Sequence, residues 1–140
     1  MKKYRILFWI TTLIIFLWEG VMPLSTVFFA PEYVNAGTKP LHYPDYFAYA
    51  LIVFKVLGAT ALILPGLHPK LKEWAYAGLT FSLVFAVISH AVVDGNAVCI
   101  LLPFIAMALL AISYFSNQKL QHAAARKAPE GAPLLNAQTV

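Results

Sequence analysis

Five side chains able to do chemistry stand in or against long apolar runs of this sequence. Glu19 interrupts LIIFLWEGVM and Lys55 interrupts LIVFKVLGAT, while His90 and Asp94 close VISHAVVD and Cys99 opens AVCILL. A carboxylate, an ammonium and an imidazole brought together can hold the polar end of a ligand or relay a proton. We therefore take Glu19, Lys55, His90, Asp94 and Cys99 as ligand-binding or proton-relay candidates, with no catalytic role assigned to any of them. The plainer alternative for Glu19 and Lys55 is a structural ion pair that locks two helices. For His90 it is a hydrogen bond between helices, and for Cys99 a small packing residue.

Several other chemistries are excluded. A single cysteine rules out an intrachain disulfide and a two-cysteine redox pair. The histidines His42, His68, His90 and His122 are scattered, so those four alone build neither a zinc-type cluster nor a haem-ligating pair within one subunit. No metal is expected on that reading. Phosphate-cradling glycine loops are missing as well.

The elements that must position the candidates are membrane helices. The chain has 140 residues, 61% hydrophobic and 11% charged, with a mean hydropathy of +0.74, too apolar for a soluble domain. Its net charge of +4 comes from basic residues lying between the apolar segments, where they act as topology signals rather than as a nucleic-acid patch. A spanning helix needs roughly 20 residues. Four segments qualify, at about 6–24, 45–64, 74–93 and 97–115. The KKYR start resembles a signal peptide, but Ala30 with Phe28 at −3 and Pro31 after it is a poor cleavage site, so the first segment is read as an uncleaved helix.

The connections agree with this division. Pro31, Gly37, Pro40 and Pro44 interrupt any helix between the first two spans, and Asp45 after Pro44 suits a helix start. PGLHPKLKE makes a basic turn, and Asp94-Gly95-Asn96 a hairpin turn. Lys2, Lys3, Arg5, Lys70, Lys72, Lys119, Arg126 and Lys127 fall on one side and Lys39 on the other. The positive-inside rule then places both termini in the cytoplasm of a multi-pass cell-membrane protein. The expected fold is all-α: an integral membrane four-helix bundle over 1–117, followed by a polar cytoplasmic tail over 118–140 that begins as a frayed helix end and continues disordered.

Depth along the helices brings the candidates together. At 1.5 Å per residue, Glu19 lies about 10 Å below the outer edge, Lys55 about 15 Å and His90 ~6 Å, with Asp94 at the mouth and Cys99 level with His90. Each helix thus delivers a polar or reactive group to the outer half of the bundle, where Lys55 and His90 can pair with Glu19. On the third span Ser82, Ala86 and His90 share a face, while the drift of a straight helix takes Gly78 and Asp94 off it. Trp18, Phe81, Phe85 and Tyr49 read as packing or belt residues, with a pocket wall the alternative for some of them. Pro103 is expected to kink the fourth span and make room near Cys99.

The stretch from Phe54 to His90 resembles the DoxX-like family of small four-helix membrane proteins. The resemblance is carried by Lys55-x-Leu57-Gly58, the Leu64-Pro65-Gly66 turn, Leu71-Lys72-Glu73-Trp74-Ala75-Tyr76-Ala77-Gly78, Ser89-His90, and HYPDYF before the second helix. It implies a four-helix membrane bundle with Lys55 and His90 as motif positions. Founding members accompany a quinone-linked sulfur oxidoreductase, whereas the related NACHO-type proteins assist assembly of a receptor channel. Two functions follow as expectations. One is a site for a small lipophilic molecule such as a quinone, the only cofactor the resemblance suggests. The other is a non-catalytic assembly factor, chaperone-like, docking on another membrane protein. An isomerase or hydratase could use the same acid/base set. The lipid bilayer is the expected partner in every case, nucleic acid in none, and the small-residue ridge is compatible with a homodimer.

Overall fold

The structure is a computed structural model, and it describes residues 1–127. Among the described residues, four helices are long and apolar enough to cross a membrane. We label them α1 (Lys2–Phe29), α2 (Asp45–Ile63), α3 (Pro69–Val93) and α4 (Ala97–Lys127). Each packs on its neighbours in chain order and α4 closes back onto α1, so the bundle is an antiparallel ring with the start of α1 and the end of α4 at one end.

The helices outrun the apolar segments that reveal them. α1 continues past residue 24 to Phe29, α3 begins at Pro69 rather than 74, and α4 runs beyond 115 to Lys127. Backbone hydrogen bonding does not stop where hydropathy does, so a hydropathy window finds only the apolar middle of a helix that projects from the bilayer. Residues 118–127 of the expected tail are therefore helical, and the rest, 128–140, lies outside the described residues.

α1 is not uniform. Between Lys2–Ile15 and Met22–Phe29 the segment Phe16–Val21 is a π-helical turn, in which Met22 N donates to Leu17 O. Pro23 explains it. A proline has no N–H, and its ring collides with the carbonyl of the residue four back, here Glu19, so the turn around Glu19 widens. The wider turn brings Glu19 and Gly20 inward, where both are buried. At Gly20 the backbones close: a Cβ there would lie 3.1 Å from the Ala59 Cβ of α2.

The core sits towards the end where α1 starts and α4 finishes. Ile15, Leu62, Tyr76, Leu79, Leu83, Ala106 and Leu110 form one buried cluster drawn from all four helices. Within it the Ser113 hydroxyl joins Thr12 at 2.6 Å and Tyr76 at 2.8 Å, a closed polar network that ties α1, α3 and α4. Large apolar side chains such as Trp9, Phe54, Phe81 and Phe115 point outward and are exposed, an arrangement that suits lipid and not water.

At the opposite end, residues 30–44 fold back over the bundle in two short 3-10 turns, Pro31–Tyr33 and Lys39–Leu41. Val34 plugs into a small cluster with Ala48 and Ile52 of α2. His42 adopts φ 64°, reversing the chain so that the Tyr43 hydroxyl reaches Ser89 of α3 at 2.9 Å. The loop is thereby pinned across the top of the helices.

Candidate functional site

Under that loop lies a cavity of about 640 Å³, lined by all four helices. Glu19, Lys55, His90, Asp94 and Cys99 all line it, together with apolar walls from Trp18, Leu51, Phe85 and Leu102. A volume in this range holds a small organic molecule, and a mostly apolar wall with few convergent polar groups is the usual composition of such a site.

The polar groups divide into two sets. The first is the pair made by the π turn. Lys55 Nζ stands 2.8 Å from Glu19 Oε2. The contact is ionic rather than an aligned hydrogen bond, since the same oxygen has no partner of hydrogen-bonding geometry. That oxygen is buried against α2, and the Glu19 side chain as a whole is only 4% exposed. Lys55 comes from the middle of α2 and reaches α1 by its flexible stem.

The second set stands at the α3–α4 turn. His90 Nδ1 lies 2.9 Å from Asp94 Oδ2, and Asp94 Oδ1 accepts from Asn96 N at 3.1 Å. Asn96 in turn caps α4 by accepting from Val98 N and Cys99 N. Those bonds, led by the Asn96 backbone donor and then by His90, hold the Asp94 carboxyl below its ordinary range. The expectation that His90 would pair with Glu19 is corrected here: its acidic partner is Asp94. Asp94 was read off this face by the straight-helix drift, yet its N–H still donates to His90 O and the two meet as an ordinary i, i+4 pair, within side-chain reach despite that drift.

Ser82, Ala86 and His90 do face the cavity together, and Gly78 faces away with nothing within 4 Å of a Cβ. Trp18 and Phe85 wall the cavity rather than serving only as belt residues, whereas Phe81 and Tyr49 are exposed on the outside. Pro103, inside α4, lines the same cavity as Cys99. The roof was not foreseen: Gly37, Thr38, Leu41 and Tyr43 cover the cavity. HYPDYF carried a usable signal, an aromatic hydroxyl just before a helix and opposite Ser89.

A profile of the DoxX-like family matches residues 8–113. The chain belongs to the DoxX-like family. No curated protein matches it, and no solved structure does. The matched range of this DoxX-like chain takes in the π turn of α1, the loop, the α3–α4 turn and all five candidate side chains.

Proposed function

We propose that this DoxX-like membrane protein binds a small lipophilic molecule of quinone type in the cavity beneath the loop. The observation that carries the reading is the meeting, in one mostly apolar cavity of about 640 Å³, of an ion pair from α1 and α2 with an imidazole from α3. A quinone presents a flat apolar ring with carbonyl acceptors, and the cavity matches it with aromatic walls and cationic or N–H donors. Lys55 would donate to one carbonyl, Glu19 would accept from the hydroxyl of the reduced form, and His90 would meet a polar group nearer the loop. If electrons are exchanged with a membrane redox partner, the Glu19–Lys55 pair is placed to take up or give the accompanying proton.

Trp18 supplies a direct reporter because it walls the cavity, whereas Trp9 and Trp74 are exposed on the lipid side. Purified in a mild detergent, the protein should co-extract a lipophile identifiable by mass spectrometry. A short-chain quinone should quench the Trp18 share of the fluorescence saturably, and Ala86→Phe, which puts an aromatic ring into the cavity from α3, should weaken or remove the saturable part. Quenching that is unsaturable and equal in wild type and Ala86→Phe, with no co-purified lipophile, would sink the reading and favour an assembly-factor role on another membrane protein.

A further inference from the structure

The geometry points to a divalent transition-metal site formed by His90, Asp94 and Cys99 at the α3–α4 turn. Each residue offers one ligand atom, an imidazole nitrogen, a carboxylate oxygen and the thiol sulfur, and these atoms all lie within 4.8 Å of one another. Ligands of a tetrahedral ion bound at ~2.0–2.3 Å stand a little closer together than that, so small rotamer adjustments complete the set. The turn does the assembly. Asp94-Gly95-Asn96 reverses the chain, with Gly95 at φ 59°, and lays the first turn of α4 beside the last turn of α3. Residues four and five positions apart in sequence then face one another, although no linear metal motif joins them.

Charge and softness select the ion. A thiolate and a carboxylate carry two negative charges and a neutral imidazole none, so a divalent cation leaves the site neutral beside an apolar cavity. Sulfur and nitrogen donors favour zinc-like ions over magnesium or calcium, which take oxygen shells. All three residues line the cavity, so the fourth position of a tetrahedral ion would open into it. Three protein ligands with one open position is the arrangement of a zinc ion that binds or polarises a ligand rather than one that only braces a fold. The bland alternative is a His90–Asp94 pair closing a helix end, with Cys99 merely adjacent. The proposal stands apart from quinone binding, since it needs the three side chains and no lipophile.

Cys99 is the single cysteine of the chain, so thiol chemistry reads this site alone. Reduced, chelator-stripped, untagged protein in detergent is titrated with Co²⁺ and then Zn²⁺. The expected result is one equivalent of Co²⁺ with a thiolate-to-metal charge-transfer band, displaced by Zn²⁺, and slowed alkylation of Cys99 when Zn²⁺ is present. Cys99→Ser should abolish the band, and His90→Ala should weaken Zn²⁺ binding by at least about 100-fold, the upper end of the loss for an outer-shell partner. Absence of the band, or Zn²⁺ that leaves wild-type alkylation unchanged, overturns the site whatever the variants do. Zn²⁺ binding of undiminished affinity in Cys99→Ser would place the ion on other histidines and overturn it equally.

Discussion

Glu19 is only 3% exposed, while the side chain of Lys55 is 20% exposed, so separating the pair would not strand the two charges equally. Lys55→Ala leaves a carboxylate inside the bundle without a counter-ion, whereas Glu19→Ala leaves an ammonium that can move towards the cavity on its stem. Losing one partner of a buried pair costs on the order of 3 kcal/mol, and losing both costs much less than the sum. We expect Lys55→Ala to lower unfolding stability in detergent more than Glu19→Ala, and the double variant to recover part of the loss. Strictly additive losses in that cycle would mean that the two groups do not hold one another. The Ser113 network makes a contrast at the same scale, since its three hydroxyls satisfy each other without charge.

Among elements, the π turn of α1 decides how closely α1 and α2 approach. Gly20 faces Ala59, which is fully buried, at a distance that leaves no space for a branched side chain. Gly20→Val should cost about 1–3 kcal/mol, the range for overpacking a close contact. Adding Ala59→Gly should restore part of it. Gly78 sits on the outer face of α3 with open space around it, so Gly78→Ala should cost nothing and gain from helix propensity. Thermal unfolding of these variants tests both statements. Equal losses at Gly20 and Gly78 would show that helix propensity, and not interhelical approach, governs the two sites.

For the whole molecule, an even number of spans puts the N-terminus and the α4 end on one side and the cavity with its loop on the other. Which side is which rests on charge: most basic residues gather at the end where α1 starts and α4 finishes. A single cysteine placed at exposed Glu32, in a Cys99→Ser background, should react with an impermeant reagent in intact cells, and one at exposed Lys70 should react only after lysis. The opposite pattern would turn the cavity towards the cytoplasm and reverse the direction from which a ligand or ion reaches it.

Composition, apolar length and proline position determined the class, the four helices and their order, because each of these is a local or one-dimensional property. α2 lies within a residue of its expected limits, since Pro44 and the Leu64-Pro65-Gly66 turn mark both ends chemically. Depth counting likewise brought Glu19 to Lys55, as the single wide turn of α1 alters its rise too little to separate them. What lay beyond it was the rotation of each helix and the path of the loop. His90 meets Asp94, its neighbour four residues on along α3, while Glu19 meets Lys55, and histidine spacing alone could not reveal a cluster that includes Cys99. The roof over the cavity needed the left-handed turn at His42 to deliver Tyr43 to Ser89, a contact 46 residues apart. Such pairings depend on how four packed helices fit together, and packing is a property of the tertiary structure that no single segment encodes.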